Sequence, residues 1–317
     1  MVMTRQELIE RQGWSLEQKI DHSIGVIEHF YNKLNGKVYI SFSGGKDSTV
    51  LLWLARKIYP DILAVFCNTG NEYPDIVKFV RKMRDDGANI EIIMPKMKPK
   101  DVLAKYGFPL VSKETSNLIK SIRFNPNSLK SQRALTKPKT ELFAMPRRWE
   151  FLINAPFNTS NMCCDKLKKE PFFYYSRDND LAPILGTLAE ESRLRMTTYI
   201  RRGGCNVFND EQSYKSSSLP LSIWTEKDIW DCIKKYNIPI AEIYNKGVKR
   251  TGCMFCGYGV QYKHDNRLKM VYEHYPKFYD LFMGYENNGV TYRDALKSVL
   301  SSRGLTLPDE REPTLFD

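Results

Sequence analysis

The 317-residue sequence contains no apolar run of roughly 18 residues, the length that a membrane-spanning helix requires. Its first five residues, Met1 to Arg5, carry no apolar segment typical of a signal peptide. It shows no internal repeat, and its four histidines have no spacing typical of metal ligands. We therefore expect a cytoplasmic protein with no membrane partner, and we assign no function to the histidines.

Acidic residues are outnumbered, because 37 aspartates and glutamates face 48 lysines and arginines, a formal net charge of +11. A basic chain favours polyanionic partners such as nucleotides and nucleic acid. From charge alone, a solvated basic surface without a partner is an equal alternative. The seven cysteines of a cytoplasmic chain indicate metal or redox chemistry rather than disulfides.

The central feature of the sequence is residues 38–52, VYISFSGGKDSTVLL, which predict a strand, a tight loop and the start of a helix. Such a loop presents backbone N–H groups at the positive end of a helix, where phosphates bind. Lys46 adds a positive charge, whereas Asp47 would repel phosphates unless it caps the helix or holds Mg²⁺. The candidate nucleotide-binding residues here are Ser41, Ser43, Gly44, Gly45, Lys46, Asp47 and Ser48.

The hexapeptide SGGKDS at residues 43–48 differs from the common GxxxxGK[ST] phosphate loop. It resembles the pyrophosphate loop (PP-loop) of the adenine-nucleotide α-hydrolases, which cleave ATP between its α and β phosphates. This resemblance implies bound ATP with Mg²⁺. It also implies catalytic roles for Lys46, which would stabilise charge on the departing pyrophosphate, and for Asp47, which would help to place Mg²⁺ between the phosphates.

The order of elements predicts an α/β fold with a doubly wound, mostly parallel sheet. Strands are expected at 38–42, 62–66, 90–94 and 181–185, with helices at 48–58, 75–84 and 101–106, and another capped by Thr225. We predict three regions: an N-terminal helical segment at 1–36, a PP-loop domain at 37–265, and a C-terminal helical extension at 266–317. Residues 301–317 read as a polar tail.

Residues 113–148 contain nine lysines and arginines but only two glutamates, a net charge of +7. Their apolar periodicity is weak, so they predict a basic insertion with some helix around 116–122. Such a segment suits phosphate contacts with a nucleic-acid strand. A lid over the bound nucleotide is the alternative.

Two cysteine pairs, Cys163-Cys164 and Cys253-x-x-Cys256, are separated by 88 residues. Four thiolates suit zinc or an iron–sulfur cluster, and basic neighbours such as Lys168 and Lys169 would lower their pKa values. A redox dithiol at Cys253 and Cys256, or buried inert thiols, are the alternatives.

The sequence around these cysteines resembles that of the adenylyl-sulfate (APS) and phosphoadenylyl-sulfate (PAPS) reductases. The similarity covers roughly residues 36–265 and includes CCDKLKKEP at 163–171, PLSIWTEKDIW at 220–230 and Tyr244-x-x-Gly247. It implies a [4Fe–4S] cluster on Cys163, Cys164, Cys253 and Cys256. It also implies nucleotide-binding roles for Asn68, Thr69 and Gly70 in the turn at 68–74, and for Gly186, Glu191, Ser192 and Arg195 in the loop at 186–195.

The chain departs from that family at three points. Leu188 stands where the anion-binding loop usually has an arginine, and this sequence has no cysteine after Cys256, where those reductases carry their nucleophile. The basic stretch at 113–148 also exceeds what a small nucleotide needs. These departures favour relatives that share the PP-loop and the cluster, namely the ATP pyrophosphatase of DNA phosphorothioation and the iron–sulfur tRNA thiolases.

Cys205 follows two arginines and two glycines, a setting that favours a thiolate and predicts a catalytic or ligand role. A small loop residue without function is an equal alternative. We therefore expect an ATP pyrophosphatase that activates nucleic acid for sulfur transfer from a donor protein, either a cysteine desulfurase or a thiol carrier. The alternatives are a divergent APS/PAPS reductase, with its nucleophile from Cys205 or another chain, and a non-catalytic nucleotide- and cluster-sensing protein that binds nucleic acid.

Overall fold

The computed structural model describes residues 4–138 and 143–310, and within these ranges contacts group the chain into two units. Unit 1 comprises residues 1–68, 73–94 and 171–251, and unit 2 comprises residues 69–72, 95–170 and 252–317. The two units alternate along the sequence. The domain limits predicted at 36/37 and 265/266 stay a prediction.

The strands are β1 (Val38–Phe42), β2 (Ala64–Cys67), β3 (Ile90–Ile93), β4 (Leu110–Val111), β5 (Ala182–Leu185), β6 (Asn206–Val207), β7 (Ser217–Ser218), β8 (Gly257–Tyr258), β9 (Glu286–Asn287) and β10 (Val290–Thr291). The α-helices are α1 (Arg5–Gln12), α2 (Leu16–Lys33), α3 (Lys46–Arg56), α4 (Pro74–Asp85), α5 (Pro99–Tyr106), α6 (Lys113–Phe124), α7 (Leu129–Thr136), α8 (Met162–Cys164), α9 (Glu170–Asn179), α10 (Arg193–Arg202), α11 (Glu226–Tyr236), α12 (Arg267–His274), α13 (Pro276–Met283) and α14 (Tyr292–Ser301). A π-helical turn, Asp165–Lys169, joins α8 to α9.

Unit 1 contains a six-stranded sheet with the order β3-β2-β1-β5-β7-β6. All neighbouring pairs are parallel except β6 with β7, which confirms the predicted α/β fold with a mostly parallel sheet. The chain moves outward from β1 first through β2 and β3, and later through β5 on the other side. The carboxyl ends of β1 and β5 therefore flank the point where the strand order reverses, which is where ligands bind in such sheets.

Helix α11 shows how the sequence specifies the helices around this sheet. Thr225 and Asp228 form the predicted cap as a capping box, in which each side chain accepts from the other residue's backbone N–H. Asp228 also pairs with Lys19 of α2 at 2.6 Å, and the Lys19 side chain is only 1% exposed. This buried ion pair holds two helices of unit 1 together.

Unit 2 contains the basic segment and the C-terminal helices. The helix expected around 116–122 is present and longer, as α6, and it is followed by α7 and a 3₁₀ segment, Arg147–Ile153. Buried side chains from all three elements, such as Leu118, Ala134 and Leu152, belong to the hydrophobic core. The segment is therefore better folded than its weak periodicity suggested; residues 139–142 lie outside the described residues.

The expected polar tail is partly docked. Leu307 is fully buried, and the carboxylate of Asp309 accepts from the Tyr279 hydroxyl at 2.9 Å and pairs with Arg293. Asp309 thus ties this stretch to α13 and α14, while the polar tail expected at 301–317 stays a prediction. Residues 311–317 lie outside the described residues.

Among the residues that the structure describes, no helix combines the length and the apolar character needed to cross a membrane.

Candidate functional site

The PP-loop lies between β1 and α3 in the tight geometry that its glycines predict. Gly44 has a φ of +69°, and a Cβ there would lie 2.8 Å from Ile76 Cγ2 and 2.9 Å from Val80 Cγ2. Both the backbone conformation and the contact with α4 therefore require glycine. The N-cap of α3 is Gly45, so no side chain covers the helix N-terminus at this position.

Hydroxyl groups hold the loop together from inside. The Ser43 amide donates to Ser48 Oγ at 3.2 Å, the two serine hydroxyls lie 3.0 Å apart, and Ser48 Oγ donates to the Gly45 carbonyl at 2.9 Å. The Lys46 amide donates to the Tyr244 hydroxyl at 2.7 Å. The loop is thus preorganised by its own serines and by one tyrosine of unit 1.

A polar cavity of about 220 Å³ opens at this loop, within unit 1. It lies at the carboxyl ends of β1 and β5, where the strand order places a ligand site. Gly186 lets the β5 loop approach the PP-loop, since a Cβ there would lie 3.1 Å from the Asp47 carbonyl oxygen. The lining residues are Ser41, Ser43, Gly45, Asp47, Ser48, Leu185, Gly186, Thr187, Glu191, Arg195, Arg250 and Thr251.

Two arginines, Arg195 and Arg250, line this cavity together with the carboxylates of Asp47 and Glu191. Glu191, whose side chain is 13% exposed, pairs with Arg195 and, at 2.6 Å, with Arg250. Burial and the like charge of Arg250 lower the pKa of Arg195, while the carboxylate of Asp47 acts in the opposite direction. One glutamate therefore holds two guanidinium groups side by side on the cavity wall, an arrangement suited to phosphate oxygens.

Lys46 has a different environment from the one that the sequence suggested. Its side chain is only 4% exposed, and its Nζ lies 3.1 Å from Asp47 Oδ1 and 3.4 Å from Glu226 Oε1. The ammonium group also lies 6.0 Å from the centroid of the Trp230 ring. Lys46 is not one of the twelve residues that line the cavity.

The remaining predicted nucleotide-binding residues have mainly structural contacts. Ser192 caps α10 by accepting from the Arg195 amide at 3.2 Å. The Asn68 amide donates to the Ile93 carbonyl at 2.9 Å. In unit 2, the hydroxyl of buried Thr69 donates to the Glu72 carboxylate, and the neighbouring Gly70 has a φ of +80°.

Arg250 is a residue of the site that the sequence did not predict, whereas Leu188 was singled out from the sequence. Arg250 is not among the nucleotide-binding residues that the sequence predicted, yet it lines the cavity beside the PP-loop. Its position three residues after Gly247 of the Tyr244-x-x-Gly247 motif, and next to Thr251, was the available signal. Leu188, which replaces an arginine in the resemblance, is 1% exposed and supplies no charge.

Unit 2 holds the four cysteines that the sequence proposed as metal ligands. All four cysteines are half-buried. The Cys163 thiol donates a hydrogen bond to Cys164, and the charges of Cys253 and Cys256 raise the pKa of Cys163 further. The Cys163 thiol, with help from Lys113 and Lys168, lowers the pKa of Cys164 to about 6. The neighbouring thiol has a larger effect on Cys164 than the basic residues, whose influence on the four cysteines stays a prediction.

The other thiols of this group stay protonated more readily. Burial raises the pKa of Cys256 to about 12, and burial raises that of Cys253 although Lys168 opposes it. Cys253, in turn, raises the pKa of the Lys168 ammonium. Among residues 4–138 and 143–310, no group of three or more histidine, cysteine or acidic side chains has the geometry of a single-ion site.

Cys205 does not have the thiolate-favouring environment that the sequence suggested. It is 7% exposed, its Sγ lies 3.4 Å from the Tyr199 hydroxyl and 3.9 Å from His22 Nε2, and burial raises its pKa. Arg202 and Arg11 act in the opposite direction but do not overcome burial. The thiol, rather than the thiolate, is the favoured form here.

Residues 37–258 match the phosphoadenosine phosphosulfate reductase domain family. The chain belongs to this family. It is 25% identical over 244 residues to an adenosine 5'-phosphosulfate reductase of Staphylococcus haemolyticus. The aligned region covers 76% of this chain and 79% of that relative. It is 27% identical over 248 residues to an uncharacterized protein of Methanocaldococcus jannaschii, which covers 76% of this chain but only 46% of the relative, so the chain spans about half of that relative's length.

Two solved structures are similar at 14% sequence identity. One is the phosphoadenylyl-sulfate (PAPS) reductase from Candida auris in a phosphate complex, with a TM-score of 0.44 over 80% of this chain and 97% of that one. The other is the Candida glabrata FMN adenylyltransferase, with a TM-score of 0.43 over 78% of this chain and 67% of that one.

Proposed function

We propose that this member of the family is an ATP pyrophosphatase that adenylates a substrate oxygen and thereby prepares it for replacement by sulfur. The observation that carries the proposal is the cavity beside the PP-loop, where Arg195 and Arg250 are paired through Glu191. In adenylation, negative charge develops on the leaving pyrophosphate. Preorganised cations and hydroxyls at that place stabilise the transition state more than the ground state.

Asp47 and Lys46 have complementary roles in this proposal. The Asp47 carboxylate lines the cavity and is the side chain that would hold Mg²⁺, which would neutralise phosphate charge when bound. The same carboxylate pairs with Lys46 at 3.1 Å. Lys46 has a second carboxylate partner in Glu226, at 3.4 Å, so it would keep one ion pair if Asp47 held the cation.

Cys163, Cys164, Cys253 and Cys256 would hold a [4Fe–4S] cluster, which would supply electron-transfer or sulfur-handling chemistry. The donor set fits: four soft thiols interact with one another, and Lys168 interacts with Cys253 and Cys164, where a lysine offsets the negative charge of a cluster. A cluster is also larger than an ion, so its ligands lie farther apart than those of zinc.

The cluster proposal is tested on anaerobically purified protein. We expect brown protein that contains iron and sulfide, and Cys253→Ser should lose both. Cys232→Ser is the matched control, because Cys232 is fully buried in α11 of unit 1. Colourless protein with one zinc ion would contradict the proposal.

As acceptor we propose nucleic acid, on the strength of the net charge of +7 between residues 113 and 148, and as sulfur source a cysteine desulfurase or thiol carrier. A PAPS/APS reductase remains the second candidate, because a Staphylococcus reductase resembles three quarters of this chain. That reaction needs a reactive thiolate to attack sulfate sulfur, and the raised pKa of Cys205 disfavours this residue as the nucleophile.

One anaerobic experiment separates the two functions. The protein is incubated with ATP or with APS, each with and without RNA or DNA and a thiol reductant. Pyrophosphate and AMP from ATP, rising with nucleic acid, support the pyrophosphatase. Sulfite from APS without pyrophosphate from ATP supports the reductase and overturns our proposal.

A further inference from the structure

Five large apolar side chains of the basic segment face solvent. We call residues 113–138 and 143–153 of unit 2 the basic module. Exposed fractions are 57% for Phe124, 59% for Phe143 and 42% for Phe151, and two leucines are exposed as well. Burying such a side chain is worth roughly 1.5–3 kcal/mol, so leaving several on one small module needs an explanation.

The core of the basic module does not need these phenylalanines. Its interior is already filled by other side chains, each at most 7% exposed: Leu118, Ile119, Ile122, Ala134, Met145, Trp149 and Leu152. Truncating an exposed phenylalanine here should therefore leave the fold intact.

Packing gathers the exposed side chains on one module. Helix α6, which ends at Phe124, packs against α7 and against the 3₁₀ segment that contains Phe151. The Met145 amide donates to the Ala134 carbonyl of α7 at 2.7 Å, which brings the stretch after Phe143 beside that helix. The elements that carry the exposed phenylalanines therefore belong to one packed module.

The same module is strongly basic. Four basic side chains of the module are exposed: Lys130, Arg133, Arg147 and Arg148. Partial burial and the nearby charge of Lys120 lower the pKa of the Lys130 ammonium. Arg123 is different, because its guanidinium donates to the carbonyls of Ala155 and Phe157 and supports the fold. The module therefore combines crowded positive charge with exposed aromatic rings.

We propose that the basic module binds an unpaired stretch of nucleic acid. Its bases would stack on Phe124, Phe143 and Phe151, and its phosphates would contact the exposed lysine and arginines. The inference rests on the proposed function, whose acceptor it narrows from nucleic acid in general to a single-stranded segment. In a duplex the base faces are covered by neighbouring base pairs, so only an unpaired strand can use exposed aromatic rings.

The test measures binding of fluorescent 12-nucleotide oligouridine, oligothymidine and a 12-base-pair duplex by anisotropy, without ATP. Both single strands should bind more tightly than the duplex. The single strand with the lower Kd identifies whether the module prefers RNA or DNA. Phe124→Ala and Phe143→Ala should each weaken single-strand binding roughly fivefold or more, the effect of losing one stacked base. Phe124→Trp should retain it.

Charge is tested through salt dependence. The double variant Arg147→Gln/Arg148→Gln should reduce the slope of log K against log salt by roughly 1.4, since each phosphate contact contributes roughly 0.7 for a single strand. Matched controls lie on α13, where Lys277→Gln and Phe278→Ala change an exposed lysine and a phenylalanine that is 39% exposed. These controls should bind like the unmodified protein.

Three results would overturn the inference: tighter binding of the duplex, unchanged binding by both phenylalanine variants, or equal losses in the α13 controls. Absence of binding to every oligonucleotide would also overturn the inference. In that case the exposed basic and aromatic residues would instead suit an acidic protein partner. Because the assay contains no ATP, its outcome is independent of pyrophosphate release, so the inference and the proposed function can fail separately.

Discussion

At the residue scale, Gly44 is the position where the smallest change should have the clearest effect. Gly44→Ala places a Cβ against Ile76 and Val80 in a left-handed backbone conformation, which alone costs roughly 1–2 kcal/mol. We expect a lower free energy of unfolding and weaker ATP binding, measured by denaturant titration and calorimetry.

Gly25→Ala is the matched control for this change. Gly25 lies inside α2, where an added Cβ meets nothing within 4 Å. Since alanine favours a helix interior over glycine, stability should rise by roughly 0.8–1 kcal/mol. Equal destabilisation by the two substitutions would contradict the role assigned to Gly44.

Arg195 tests the proposed pyrophosphate site. Arg195→Gln removes one of two guanidinium groups from the cavity, and a hydrogen bond to a charged group is worth roughly 1.5–3 kcal/mol. The Kd for pyrophosphate should therefore rise roughly 10- to 100-fold in calorimetric titration. Arg193→Gln, an exposed position on the same helix, should leave the Kd within about twofold, and a similar loss there would contradict the site.

Cys205 tests the effect of burial on a thiol. Because burial raises its pKa above the ordinary value of 9.0, alkylation by iodoacetamide should stay slow at pH 8 and accelerate only as pH rises through the shifted value. The folded state holds this proton more tightly than the unfolded state, so its contribution to stability is full below pH 9 and declines above it. Rapid alkylation at pH 7 would instead support the activated thiolate suggested by the sequence.

At the element scale, the capping box of α11 and its buried partner Lys19 should be the most sensitive polar contact between helices of unit 1. Asp228→Ala removes the cap and leaves the ammonium of Lys19 buried without its carboxylate. We expect a loss of about 3–5 kcal/mol in denaturant unfolding. Asp231→Ala on the same helix breaks only the exposed pair with Lys227 and should cost less than about 1 kcal/mol.

Elements with a clean apolar pattern could be predicted from the sequence, whereas contacts made far along the chain could not. Strand β1 matches the prediction at 38–42, since its apolar run is bounded by a lysine and the Gly-Gly loop. Helix α3 begins at Lys46 rather than at 48, because Gly45 serves as the N-cap. The sequence predicted too little helix in the basic segment, because its buried apolar residues are few and irregularly spaced.

At the scale of the whole molecule, the sequence identified the family, the sheet and the PP-loop but not the full wall of the cavity. Arg250 joins Arg195 through Glu191 across 59 residues of sequence, and no local pattern encodes that pairing. Likewise, the sequence placed Lys46 among the phosphate ligands, while folding buries it between Asp47 and Glu226. The pairs of Glu191 with Arg250 and of Lys46 with Glu226 join residues far apart in the sequence, which local patterns do not encode.

The most direct measurement of the central claim is where the enzyme cuts ATP. ATP labelled on its γ-phosphorus is incubated anaerobically with the protein, Mg²⁺ and single-stranded RNA or DNA, and the labelled products are separated. Cleavage between the α and β phosphates, which we predict, leaves the label in pyrophosphate. Label in inorganic phosphate, or intact ATP from protein that releases sulfite from APS, would contradict the account.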